Sequence, residues 1–481
     1  MRAAHERRNT RPATHRQNRV RAKARGQALL ILLVMLSIAA TLLVYGSTTE
    51  AGRAVKGDSR TRAALEHARQ VLIGRAIGDA NRPGSLPCPD GDGNGSADLF
   101  AGSACPSYIG RLPWRTLGVG DLRDETGEPL WYALSPGFRD HPAAPALNSD
   151  TRGTLTVYSG SDATPITREA VAIVFAAGTA LGAQVRDDTP AQCGTTGKHV
   201  PRNRCAANYL DASGNVNNAA AGGPFIAAPP GPSYNDKLAM LVTADFMPLV
   251  EQRVALETRN ALLAYRTTSI CACYPWADSG SGGVSESGAS RGRIPTVSAL
   301  PEAWKPGVLP AYFAPNDWAR VIHYAAARSA LEGGGKGCTT CSDAMLSVDG
   351  AAGYDVILLT VGFVASPTPR KSASDYIDDA ENRDSDDRFV TPLSQRPERD
   401  RIYAVTAADS GCAANGRVLA DNAPCGTPGN AVRAACRSAG AALERCRCAA
   451  AAVAIVQAPC ATTLNSPQCE LAITDLKACM P

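Results

Sequence analysis

Asp90, Asp92, Asn94 and Asp98, with Gly95 between them, stand at the spacing of positions 1, 3, 5, 9 and 6 of an EF-hand-type calcium loop. Alternate side-chain oxygens at that spacing converge on one hard cation, and glycine at the sixth place allows a sharp turn. The pattern predicts Ca2+ as cofactor, with those four residues as ligands. The twelfth place, where such loops carry a bidentate Glu, is Ala101, so a solvated Asp/Gly turn is the competing reading. The corresponding stretch of the second half, Asp278-Ser279-Gly280-Ser281-Gly282, lacks the pattern. A later acidic run (Asp375, Asp378, Asp379, Glu381, Asp384, Asp386, Asp387) reads first as a solvated loop and second as another cation site.

Cysteine is the other chemical signal. All sixteen lie after position 87, and an even number on the oxidising side of a membrane reads as disulfides. Cys88 with Cys105 and Cys193 with Cys205 each close a short loop with no nearer partner, which predicts those two pairs. Cys271-x-Cys273 and Cys338-x-x-Cys341 have spacings that zinc also uses, and the second is a redox candidate. Its Gly-rich approach offers no thioredoxin-like βαβ context, so structural disulfides are the expectation for all four. The histidines have no partner at metal or triad spacing. Glu332-Gly333-Gly334-Gly335-Lys336-Gly337 lacks the spacing and the Ser/Thr of a phosphate loop. The residues predict a protein without enzymatic activity.

The elements that must hold these residues begin with an apolar run. From Ala28 to Tyr45 no residue is charged, and at helical rise that run spans about 27 Å, the thickness of a bilayer core. Nine Lys/Arg and one acid, Glu6, precede it, which predicts a cytoplasmic N-terminus and a single pass. The leader more than accounts for the chain's net charge of +4. The remainder is acidic, so nucleic acid is not an expected partner. Ser47 to Asp79 has no proline and places apolar residues three and four apart. One helix from about Gln27 to Gly78 is therefore expected, half in lipid and half packed on a folded head. An uncleaved signal anchor is the rival to a processed leader.

A basic leader, a Gly at the edge of the apolar run and a long helix half in membrane resemble the type IV pilins and the pseudopilins of type II secretion. The resemblance implies that a prepilin peptidase cuts after Gly26 and that Gln27 becomes the mature first residue. The fifth mature position, usually Glu in the family, is Ile31, as in the K-type minor pseudopilins and similar minor pilins. That departure implies a subunit that starts or tips a fibre. Other pilin or pseudopilin subunits, the peptidase and the inner membrane are the implied partners, and the head is expected in the periplasm or at the cell surface in a filament tip.

The second half of the head repeats the first. Ala255-Leu256-Glu257 matches Ala64-Leu65-Glu66, and Gly292-Arg293-Ile294-Pro295 matches Gly110-Arg111-Leu112-Pro113. His323-Tyr324-Ala325 answers Trp131-Tyr132-Ala133, Val356 to Gly362 mirrors Ala172 to Gly178, and Tyr376-Ile377-Asp378, Phe389 and Asp400-Arg401 answer Tyr209-Leu210-Asp211, Phe225 and Asp236-Lys237. The expected fold is α+β: a long N-terminal transmembrane helix continuing into a duplicated pilin-like α/β-sheet head, with a small disulfide-rich helical C-terminal domain. The expected boundaries are a leader at 1–26, a transmembrane and packing helix at 27–80, lobes at 81–250 and 251–407, and a Cys-rich cap at 408–481. The expected function is that of a minor subunit in the assembly or tip of a type IV pilus or type II secretion pseudopilus. The alternative is a calcium-dependent periplasmic or cell-surface binding or adhesion protein on a signal anchor.

Overall fold

The structure, a computed structural model, describes residues 33–38, 56–160, 164–193, 199–268, 274–278, 290–296, 308–327, 331, 346–362, 370, 373–384, 386–392 and 400–406. Gly26, Gln27, Ile31, Cys271, Cys273, Cys338, Cys341 and the segment 408–481 lie outside them. The chain divides into two units, Met1–Ala63 and Ala64–Pro481. The sheets and sites below belong to the second.

The long transmembrane helix is a correction. Among the described residues no helix is long and apolar enough to cross a membrane. Of the apolar run, the described part is the helical stretch 33–38. Helix α1 (56–78), the part expected to pack on the head, carries Lys56, Asp58, Arg60, Arg62, Glu66, Arg69 and Arg75. The single-pass topology and the inner-membrane localisation rested on that helix, and the described residues do not support them. The fold class is corrected with them: the described chain is rich in sheet, with two six-stranded sheets, and a long N-terminal transmembrane helix is not shown.

Helix α1 buries Leu65, Ala68, Leu72, Ile73 and Ala76, residues three and four apart, which makes one apolar stripe. Asp79 then turns the chain by accepting the amides of Asn81 and Arg82 at 2.9 and 2.8 Å. The strands that follow are β1 (Ile109–Arg111), β2 (Trp131–Leu134), β3 (Leu155–Tyr158) and β4 (Pro165–Ala176). Two small hairpins come next, β5 (Pro190–Gln192) with β6 (His199–Pro201) and β7 (Ala212–Ser213) with β8 (Val216–Asn217). β9 (Phe225–Ile226) and β10 (Lys237–Val242) complete the first sheet, in the order β1-β2-β4-β3-β9 with β10 on β4.

The hub, β4, is buried on both faces from Ala170 onward. Its alternation sends Ala172, Val174 and Ala176 to one core and Ile173, Phe175 and Ala177 to another. A continuous apolar run suits such a strand, because both faces are covered.

Helix α2 (Thr243–Thr268) opens the second sheet, built of β11 (Arg291–Arg293), β12 (Ile322–Ala326), β13 (Leu346–Val348), β14 (Ala351–Thr360), β15 (Arg388–Phe389) and β16 (Arg401–Thr406). A short helix, α3 (Ala373–Tyr376), precedes β15. The order is β11-β12-β14-β13-β15 with β16 on β14, the same topology as the first sheet. The registers agree residue for residue. Trp131 faces Phe175 across β2 and β4, and His323 faces Leu359 across β12 and β14. Phe225 faces Val157 in parallel, and Phe389 faces Val348 in parallel.

The two sheets share one hydrophobic core, into which α2 sends Phe246, Met247, Val250, Val254, Leu262, Leu263 and Tyr265. Buried polar contacts link the halves. Asn316 accepts from the Leu147 amide at 3.2 Å, and its carbonyl accepts from Asn148 Nδ2 at 2.9 Å. Arg82, buried beside them, donates to the Gly137 and Pro145 carbonyls, and burial lowers its pKa to about 10.

Candidate functional site

Three of the four expected ligands come together in the first lobe. One carboxylate oxygen each of Asp90, Asp92 and Asp98 lies within 4.8 Å of the others. The chain is drawn into a loop by its own amides. Gly93 and Gly95 donate to Asp90 Oδ1 and Oδ2 at 2.7 Å each, and Gly91 donates to Asp98 Oδ1 at 3.1 Å. Gly95 has φ +87°, and a Cβ there would sit 2.5 Å from the Trp114 ring, so only glycine fits this turn. The Gly95 carbonyl accepts from the Arg115 amide at 2.8 Å, which fixes the loop to the segment before β2. Asn94 is exposed; its Oδ1 accepts from the Ser96 amide and its Nδ2 donates to Asp92 Oδ2.

Cys88 and Cys105 are joined in a disulfide with Cα atoms 5.6 Å apart, and this bond brackets the loop. Cys193 and Cys205 form a second disulfide near the β5–β6 hairpin. Asp90 is almost fully buried, Asp98 half-buried and Asp92 exposed. Burial raises the pKa of Asp90 above the usual carboxylate range, the amides of Gly95 and Gly93 oppose it, and Asp92 adds to it. Burial likewise raises Asp98. Three carboxylates gathered at one point repel one another, and a hard divalent cation relieves that repulsion. The donor set is all oxygen and therefore fits Ca2+, which takes six to eight such ligands, with backbone and water oxygens making up the number. The exposed Ala101 supplies no ligand, as its side chain requires. A cavity of about 180 Å³ opens beside the loop, lined by Asp90, Asn94, Arg111, Trp114 and Arg123 among others.

In the second lobe Asp278 pairs with Arg293 as Asp90 pairs with Arg111. The residues 279–282 lie outside the described ones. The later acidic run gathers Glu381, Asp384 and Asp386, but these are tied into turns by backbone amides and by Arg388.

The sequence reading passed over a buried carboxylate present in both lobes. Asp236 Oδ2 accepts from the Asp211 amide at 2.8 Å and from Asn218 Nδ2 at 2.9 Å. In the second lobe Asp400 Oδ2 accepts from the Asp378 amide at 2.9 Å. Asn218 and Asn382 each bridge the same backbone positions, the first at Ile226 and the second at Val390. Burial, with the neighbouring Asp211 charge, pushes Asp236 up to about 8, and burial pushes Asp400 up to about 6. The Asp-Lys and Asp-Arg pairs heading β10 and β16 carried the signal, since an acid at the start of an apolar strand in both halves is costly unless it has a task. Here that task is structural: each acid pins a long loop back onto its sheet.

No family model, curated protein or solved structure matches the chain.

Proposed function

We propose that the protein is a pilin-like structural subunit that works by assembly, as a minor component at the end of a type IV pilus or a type II secretion pseudopilus. The observation that carries this reading is the module itself: a helix followed by a mostly antiparallel sheet, built twice in one chain with the same strand order. A helix-first module of this kind presents its helix to neighbouring subunits and its loops to the outside. Two lobes fused through one core make a head too bulky to repeat closely along a shaft, which favours an end position. Ca2+ held by Asp90, Asp92 and Asp98 would stiffen the outward loop. The partners are other pilin or pseudopilin subunits and a prepilin peptidase acting after Gly26. Mass spectrometry of the mature N-terminus tests the reading. Gln27 as first residue is the expected result, and a mature protein that retains the leader contradicts it.

A second reading, calcium-dependent binding or adhesion, is favoured by the cavity that adjoins the carboxylate loop. Under it, chelation abolishes attachment to a surface and leaves filament formation intact.

A further inference from the structure

The duplication supplies an internal control for every side chain, and one comparison exposes a site. In the first lobe the sheet face away from α1 is sealed. Trp131, Ala133, Ile173, Phe175, Leu210 and Phe225 form a closed core of their own. The Trp131 ring lies 5.1 Å from that of Tyr209, and the Arg111 guanidinium covers both rings at 5.8 and 5.6 Å. The equivalent residues of the second lobe, by register, are His323, Ala325, Ile357, Leu359, Ile377 and Phe389. Ring volume has been lost twice: the Trp131 indole is answered by the smaller imidazole of His323, and the Phe175 ring by Leu359. A cavity of about 200 Å³ stands there, and His323, Ile357, Leu359, Ile377 and Phe389 line it.

The polar groups at its mouth are already engaged. Arg291 donates to the Asp384 carbonyl at 2.8 Å and lies over the Phe389 ring at 4.7 Å. Arg383 donates to the Ile377 carbonyl at 3.0 Å. Neither guanidinium is left to call for an anion. His323 Nε2 is buried with no hydrogen-bond partner among the described residues, and so is Trp131 Nε1 in the first lobe, so what sets the second lobe apart is the space and not the polar atom. The His323 ring stands 6.0 Å from that of Tyr376, where Trp131 packs closer on Tyr209. Burial lowers the His323 pKa to about 4, with Arg293 and Arg370 adding to the effect, so the ring is neutral at physiological pH. A dry cavity of about 150 Å³ is large enough for benzene.

We propose that the second lobe carries a binding pocket for a small uncharged aromatic molecule of the size of benzene or indole. The ring takes the space that the Trp131 indole fills in the first lobe and packs among Ile357, Leu359 and Phe389. The inference does not depend on how the chain assembles.

The test is a calorimetric titration of the full chain with indole, repeated with His323→Trp, which refills the space as the first lobe does. The expected result is saturable binding to the native chain and a loss of affinity of at least about tenfold in the variant, with cooperative melting retained. Should His323→Trp fail to fold, Leu359→Phe, which restores the ring found at Phe175, carries the same expectation. Absence of saturable binding to the native chain overturns the proposal, and so does equal binding by a folded variant.

Discussion

At the residue scale the fold tolerates acids in places where burial alone would expel them. Asp236 is 2 % exposed, and its Oδ1 has no partner among the described residues. Its folded-state pKa of about 8 lies well above the usual value of 3.8. Between those two values the folded chain binds more protons than the unfolded one, so stability falls as pH rises through that window and levels off above it. Glu251 on α2, pushed up to about 7 by burial, and Asp400 at about 6 act in the same direction. Asp236→Asn keeps the shape and both accepted hydrogen bonds while removing the ionisation. It should raise stability at pH 8 by roughly 1 kcal/mol or more and change little at pH 4. Thermal melts of the two proteins at both pH values check this, and parallel pH profiles would show that Asp236 does not titrate with folding.

At the element scale the decisive unit is the loop between the two halves of the Cys88–Cys105 disulfide. Asp90, Asp92 and Asp98 were legible because ligand spacing is a local property, and the backbone amides of Gly93 and Gly95 hold that spacing in place. Strand partners were legible where a short run of residues recurs. Gly110-Arg111 and Gly292-Arg293 recur because each glycine lets its strand pass against the carbonyl of Asp90 or Asp278; a Cβ would meet those oxygens at 2.7 and 2.2 Å. The apolar spacing of three and four identified the packing stripe of α1, whereas the membrane-spanning part of the expected helix is not shown: among the described residues no helix is long and apolar enough to cross a membrane. The partners of the buried Asp236 and the His323 pocket were illegible in one dimension, since both depend on residues brought together from segments far apart in sequence. For the loop the expected outcome is specific. A ligand bound only by the native state adds RT ln(1 + [L]/Kd), about 2.7 kcal/mol at a hundredfold excess over Kd. Asp90→Ala with Asp92→Ala should therefore abolish the difference in melting between calcium and chelator. A native head that melts identically in both would remove Ca2+ from the account.

At the scale of the whole molecule, two lobes of one topology share a core, and buried Asn316, Asn148 and Arg82 lock their junction. Such a head moves as one body, and a filament that included it at every position would have to make room for twice the bulk at every repeat. The account therefore places it at an end, in small numbers. The direct measurement is electron microscopy of purified filaments decorated with gold-labelled antibody against the two-lobe head. Label confined to one end of each fibre, with the protein substoichiometric to the main subunit, is the predicted result. Label spread evenly along the shaft, or filaments that carry none of the protein, would contradict it.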